Sequence, residues 1–341
     1  MPLAFGLCTF GDITAQPDGR LKSHAQVLRE VVEEAVVADA SGVDVFGAGE
    51  HHRDDFAISA PEVLLAAIAA RTTRLRLTSA VTVLSSDDPV RVYQRFATLD
   101  AVSAGRAEVI LGRGSFTESF PLFGYDLDQY HVLFSEKLEL FTRLRHEGAV
   151  SWQGSTRAAL VEQQVFPTAE QRPIPTWIGV GGSPESVARA AHYGLPLMLA
   201  IIGGPSARFR PYVDLYHRLL RERDMAPLPV GVHSPGHIAE SDASARAEFF
   251  PAFKAMHDRI GAERGWPPLT FRQFEGEVEK GAIYCGAPDT VARKLAATVQ
   301  ALGLERFDLK YSAGTLAHDT MLRSISLFGR EVIPRVRALL G

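Results

Sequence analysis

Pro175-Thr176-Trp177-Ile178-Gly179-Val180-Gly181-Gly182-Ser183-Pro184-Glu185-Ser186 reads as a short apolar strand, a glycine turn and the start of a capped helix. Ser183 suits an N-cap, Pro184 the first helical position, and Glu185 the positive end of the helix dipole. The same strand–turn–helix unit recurs on both sides. Upstream, strand-like runs lie at Leu3–Phe10, Val43–Gly47, Leu75–Leu84 and Ala107–Leu111, with helices read at His24–Ser41, Pro61–Arg71, Pro89–Ser103 and His131–Arg145. Downstream come strands at Leu195–Ala200, Leu228–Val232 and Phe307–Tyr311, with helices at 184–193, 206–223, Pro288–Leu302 and 318–339. Strands that alternate with helices form a parallel sheet with right-handed crossovers. Eight such units predict a closed (β/α)8 TIM barrel of the α/β class rather than an open sheet. No Gly-x-Gly-x-x-Gly follows the first strand, which argues against a Rossmann domain.

Two segments break the rhythm. Residues 148–172 read as a hairpin excursion, and residues 235–280 as a charged, helical one. No Pro-, Gly- or Ser-rich linker divides the chain, so residues 1–341 are expected to form a single domain with these two insertions. The 341 residues are 46% hydrophobic and 22% charged, enough for a large core in a globular chain. A formal charge of −4 offers no reason to expect nucleic acid or an anionic membrane as partner. No apolar stretch approaches the ~20 residues of a membrane span. The start, Met1-Pro2-Leu3-Ala4 with Asp12 soon after, lacks the basic region of a secretory signal. Cys8 and Cys285 have no zinc-type spacing, and a reducing cytoplasm is the simpler expectation.

In a barrel of this kind, chemistry sits at the C-terminal ends of the strands. The second strand leads into Gly49-Glu50-His51-His52-Arg53-Asp54-Asp55. Adjacent histidines on an extended segment diverge, so no metal site is expected there. His51 is the candidate proton donor or acceptor, against the alternative of a loop histidine tied to backbone. The fourth strand leads into Gly112-Arg113-Gly114-Ser115, where Arg113 carries a fork suited to phosphate; a surface arginine in a turn is the other reading. After the fifth strand, Val180, Gly181, Gly182, Ser183 and Ser186 compose a candidate anion site, because free backbone N–H groups and the dipole favour negative charge at a helix start. An ordinary capped helix explains Ser-Pro-Glu; it does not require Gly181-Gly182. Gly182–Arg189 is echoed by Gly286–Arg293, but the second copy has Ala287 at the cap. The phosphate is therefore assigned to the first copy. A phosphosugar barrel enzyme would instead place its phosphate after strands seven and eight.

These sites, in this order, resemble the luciferase-like flavin monooxygenases, the bacterial luciferase family. The resemblance covers nearly the whole chain. It is carried by Glu50-His51-His52, Asp88-Pro89-Val90-Arg91, Leu99-Asp100 with Ser103-Ala104-Gly105-Arg106, Gly112-Arg113-Gly114 with Phe123-Gly124, and the 175–186 junction with Tyr193-Gly194-Leu195-Pro196. Near the end it continues in Gly286-Ala287-Pro288-Asp289 and Met321-Leu322-Arg323-Ser324-Ile325.

The resemblance implies a TIM barrel with FMN, taken as reduced FMN from a separate flavin reductase, and a monooxygenase that acts on a small organic substrate with O2 through a flavin C4a-peroxide. By position, Arg113, Ser183 and Ser186 would hold the phosphate with the backbone of Gly181 and Gly182. His51 would match the active-site histidine, and Ala80–Val81 the non-prolyl cis peptide beneath the flavin ring. Phe10 and Phe56 are candidates to line a dry pocket, whereas Phe5 and Phe46 suit the core. No cluster of basic residues suited to a sulfonate substrate stands out. A homo-oligomer is expected. The alternatives are an F420-dependent hydride-transfer oxidoreductase of the same superfamily and a flavin-binding protein without catalysis.

Overall fold

The computed structural model describes residues 3–16, 18–146 and 148–341; Met1 and Pro2, on which the reading of the start partly rests, lie outside them. Eight parallel strands form the barrel: β1 (Ala4–Thr9), β2 (Val45–Ala48), β3 (Arg76–Ser79), β4 (Ala107–Gly112), β5 (Thr176–Val180), β6 (Leu197–Ala200), β7 (Val230–Ile238) and β8 (Arg306–Lys310). Each pairs with the next in sequence. The ring closes where β8 returns to β1, with Ala4 opposite Arg306 and Cys8 opposite Lys310. Helices pack around the outside, and the main apolar core fills the space between them and the strands. The chain is thus a (β/α)8 barrel, and the near-continuous apolar runs reflect strands buried on both faces.

Four elements differ from their sequence reading. The run Leu75–Leu84 is not one strand: β3 stops at Ser79, the Ala80–Val81 peptide is cis, and Thr82–Val83 pairs separately with Leu111 and Gly112. Glu50 holds the displaced segment. Its N–H donates to the Val81 carbonyl at 3.3 Å, and its buried carboxylate accepts from the Val83 N–H at 2.8 Å. Second, β7 runs on to Ile238 because its end pairs with a further short strand, Tyr284–Gly286. The second excursion therefore starts after residue 238, with helices Asp242–Arg264 and Phe271–Glu279. Third, the helix read over 318–339 contains a wider turn at Phe328–Val332, which separates His318–Leu327 from Ile333–Leu340. Fourth, a third irregular segment follows β4, with a short helix at Ser119–Leu122. The hairpin of the first excursion pairs Val150–Trp152 with Leu160–Gln163. Among the described residues, no helix is long and apolar enough to cross a membrane. Cys8 and Cys285 are buried free thiols.

The barrel interior is graded from floor to mouth. Its floor is ionic. Arg306, 2% exposed, donates twice to Asp308 at 2.8 Å and pairs with Glu108 across the ring, with its guanidinium 5.2 Å from the Trp177 ring. Above lie Trp177, Ile110 and Met198, with Val81 against them. Buried ion groups persist only when each charge keeps its partners. Replacing Arg306 by leucine strips Asp308 of its cation inside the barrel. We expect this to cost about 3–5 kcal/mol in urea unfolding; a loss below about 1 kcal/mol would show that the floor does not depend on the pair.

Candidate functional site

The C-terminal ends of the strands gather three groups of residues at the barrel mouth. The first surrounds the helix Pro184–His192. Ser183 caps it, accepting from the Ser186 N–H at 3.2 Å, and the Ser183 hydroxyl donates to Ser186 Oγ at 3.0 Å. Arg113, from the end of β4, donates to Ser186 Oγ at 3.3 Å and lies 5.2 Å from the Tyr130 ring. Gly182 has φ +106°, a left-handed value suited to glycine, and a side chain at Gly181 would meet open space. Val180 differs from its neighbours: its side chain belongs to the outer core, so it brings only backbone to this group.

Sequence reasoning missed one member. Arg189 lies one turn along the helix from Ser186, and its Nη1 is buried without a partner. Among the described residues neither Arg189 nor Arg113 has a carboxylate within ion-pair distance. Burial, followed by the nearby Arg113 charge, pushes the Arg189 pKa down. The i, i+3 spacing from Ser186 was the available signal. Two guanidiniums, two hydroxyls and a helix start, with Glu185 in the first turn as the nearby acid but no carboxylate in ion-pair contact with either guanidinium, form a site suited to an anion.

The echoed helix start at Pro288 provides an internal comparison. There the Ala287 N–H donates to Asp242 Oδ1 at 2.7 Å, and the Thr290 hydroxyl donates to Asp242 Oδ2 at 3.0 Å. Thr290 occupies the position that Ser186 holds in the first copy. In the second copy the chain supplies its own anion from the excursion helix. In the first, no carboxylate among the described residues accepts from the corresponding groups, although Glu185 lies in the first turn.

The second group is the small-residue patch at the ends of β3, β4 and β5. Ala80 and Val81 face the barrel interior, and Gly112 and Gly179 back onto Val81. A β-carbon at Gly112 would come within 2.6 Å of a Val81 methyl, so only glycine admits this approach.

The third group surrounds His51. Its imidazole packs among Phe10, Phe56 and Phe116, with ring centroids at 4.4, 4.7 and 4.8 Å. Its ring nitrogens have no hydrogen-bond partner among the described residues, and a narrow gap lined also by Glu50 and Val83 reaches it. His52 turns away and bonds Glu50 at 2.8 Å, so the adjacent histidines do diverge. Although part of His51 stays open to the mouth, the three aromatic rings strip water from the imidazole. Burial lowers its pKa to about 3; Asp12 opposes this, and Lys310 and Arg53 add to it. The buried cation Lys310 bonds Asp12 at 3.0 Å, and the Ser312 hydroxyl donates to Asp12 at 2.5 Å. Deeper, Cys8 Sγ lies 3.0 Å from His233 Nδ1, and burial lowers the His233 pKa to about 4. Phe5 and Phe46 are in the core.

A basic cluster invisible in the sequence closes this side. Arg53 bonds Asp55, Glu118 and Glu263 at 2.9, 2.6 and 2.6 Å. Arg259 pairs with Asp54, and Arg264 donates to the Ser115 carbonyl at 3.0 Å. The guanidiniums of Arg53 and Arg264 each lie 4.7 Å from the Phe116 ring centre. The helix Asp242–Arg264 is thus tied across the loops after β2 and β4. Acid partners already occupy Arg53 and Arg259.

Comparison with known proteins places this arrangement. A family model described as luciferase-like monooxygenase matches residues 4–306. A monooxygenase structure from Streptomyces bottropensis is 25% identical, covering 97% of this chain and 99% of that one, with a TM-score of 0.86. The oxygenating constituent of a diketocamphane monooxygenase from Pseudomonas putida, solved in complex with FMN, is 18% identical over 98% of each chain, with a TM-score of 0.79. An uncharacterised protein of Sinorhizobium fredii is 27% identical, over 98% of this chain and 97% of that one.

The lowered pKa of His51 has two consequences. Its imidazole NMR signals, assigned by loss in His51→Gln, are expected to hold constant between about pH 8 and about pH 5; a midpoint near the ordinary ~6.5 would refute the packing. Protonation favours the unfolded chain, where the pKa is higher. The residue's contribution to stability is therefore present above about pH 6.5 and is lost as the pH falls toward about 3.

Proposed function

The chain belongs to the luciferase-like monooxygenase family, and from that premise we propose that it is an FMN-dependent monooxygenase of a small organic substrate. The observation that carries the cofactor reading is the pair of echoed helix starts. One is filled by the Asp242 carboxylate; at the other Arg113, Arg189, Ser183 and Ser186 converge, and among the described residues neither arginine has a carboxylate within ion-pair distance. A phosphate monoester matches that demand in charge and in its number of acceptor oxygens.

Bound there, reduced FMN would supply the activation of O2. Arg113, Ser183 and Ser186 would hold its phosphate, with backbone from Gly181 and Gly182. Gly112 and Gly179 let Val81 pack closely at the ends of the strands, and Ala80 and Val81 would present a small apolar surface to a flat ring system in the mouth. Phe10, Phe56 and Phe116 would exclude water from the reacting centre. His51, neutral across the physiological range, would face the substrate as an uncharged imidazole that hydrogen-bonds at the atom where a proton is donated or taken up. On the same reading a separate flavin reductase delivers the reduced cofactor, and the chain works as a homo-oligomer.

Titration with reduced FMN, oxidised FMN and F420, followed by oxygen-uptake measurements, tests the proposal. Reduced FMN is expected to bind, and Arg113→Ala to weaken it roughly tenfold to a hundredfold, as loss of a hydrogen bond to a charged group does. Unchanged affinity in both Arg113→Ala and Ser186→Ala would refute the phosphate site. Turnover with F420 without oxygen uptake would favour hydride transfer. FMN binding with no turnover, unaltered by His51→Ala, would favour a carrier.

A further inference from the structure

A second histidine reaches the barrel mouth, from β7. His233 stands in register with Ala200 of β6 and Asp308 of β8. In a ring of eight, β7 is four strands from β3, so His233 lies across the mouth from Ala80 and Val81. Its ring centre is 6.1 Å from that of Phe10, which in turn lies 4.4 Å from that of His51. Two imidazoles thus flank one phenyl ring. His233 is half-buried, and its Nε2 has no hydrogen-bond partner among the described residues. That nitrogen is not sealed away from the mouth, as Nδ1 of His237 is sealed in its own surroundings.

The other ring nitrogen is committed. Cys8 Sγ lies 3.0 Å from His233 Nδ1. Cys8 is 1% exposed, and burial, followed by the Asp308 charge, pushes its thiol well above the ordinary range, so the proton stays on sulfur. Sulfur is a weak acceptor and an imidazole nitrogen a good one, so the S–H donates to Nδ1. The imidazole proton is then on Nε2, because the bond made at one ring nitrogen sets the state of the other. His51 differs in this respect. It has no hydrogen-bond partner among the described residues, so either of its nitrogens can carry the proton, whereas His233 offers an N–H alone.

A neutral N–H held in one orientation stabilises negative charge that develops beside it without giving up its proton. The charges that act on His233 are cationic, from Lys310 and Arg306, which favours an anion next to it. We propose that His233 is a further catalytic residue, whose Nε2–H donates a hydrogen bond to the substrate oxygen on which negative charge builds up, and that Cys8 is the positioning residue that keeps it a donor. No N–H bond is broken in this role; the proton remains on Nε2 throughout. The word substrate rests on the monooxygenase reading, whereas the donor itself stands independently of flavin.

Two readouts on the full chain test this, and neither needs flavin. The first is long-range proton–nitrogen NMR of histidine-labelled protein, with His233 assigned by loss in His233→Gln. Nε2 is expected to be protonated and Nδ1 bare. Cys8→Ala should give a mixture of tautomers, and Cys8→Ser, which keeps a donor, should restore the single one. The second uses para-nitrophenol, whose phenol and phenolate forms differ in colour, with saturating inorganic phosphate to keep the probe from the helix start at Ser183. The pKa of the bound probe is expected to fall by at least about one unit, or tenfold in favour of the phenolate, as a hydrogen bond to a charged group gives. His233→Leu should abolish that shift, and His233→Gln, whose amide can still donate, should keep part of it. Thermal melts matching the parent chain would show that the variants fold. A protonated Nδ1 in the parent chain, or a tautomer indifferent to Cys8→Ala, would overturn the role given to Cys8. No probe binding, an unshifted bound pKa, or a shift that survives His233→Leu would overturn the catalytic role of His233. Both readouts as expected, with no oxygen uptake under any condition, would instead remove the monooxygenase reading and leave the donor in place.

Discussion

Closure of eight parallel strands into a ring is the constraint on which the rest depends. Each crossover returns the chain to the same end of the barrel, so every strand delivers its C-terminus to one face. Residues far apart in sequence, such as His51, Arg113 and Ser186, reach one mouth for that reason alone. The ring also creates an interior that must be filled. Here the filling is graded: the Arg306 ion group at the floor, Trp177, Ile110 and Met198 above it, and small residues near the top.

Charge organises that mouth. Around the loops after β2 and β4, arginines and acids from three segments neutralise one another and pin the excursion helix over Phe116. Arg113 and Arg189, among the described residues, have no carboxylate within ion-pair distance. Two like charges side by side repel, and the proposed phosphate would relieve that repulsion. The Asp242 carboxylate at the second helix start shows how the chain meets the same requirement where no ligand is needed. His51 follows a different logic, since three aromatic rings keep it neutral.

Much of this was legible in the chain. Apolar runs bounded by glycine and proline located all eight strands, and Pro184 and Pro288 marked helix starts correctly. The cis peptide lies at Ala80–Val81, where the family resemblance places it. The candidate phosphate group is brought together as expected. Other features were hidden for a physical reason. The break after Ser79 leaves no trace in hydropathy, because it depends on Glu50 reaching across from β2. The extension of β7 depends on a partner strand almost fifty residues away. Arg53, Glu118 and Glu263 are ordinary surface residues in sequence; only packing makes them a cluster.

By itself, the sequence determined the local grammar: which segments are strands, where helices start, and which strand ends carry histidine, arginine and serine hydroxyls. Those properties follow from backbone preferences and side-chain periodicity, which act over a few residues. The tertiary structure alone decided which charges are paired and which are left open, that His51 is stripped of water, and that Cys8 meets His233. Pairing and desolvation are set by neighbours distant along the chain. They are therefore properties of the folded ring rather than of any stretch of it.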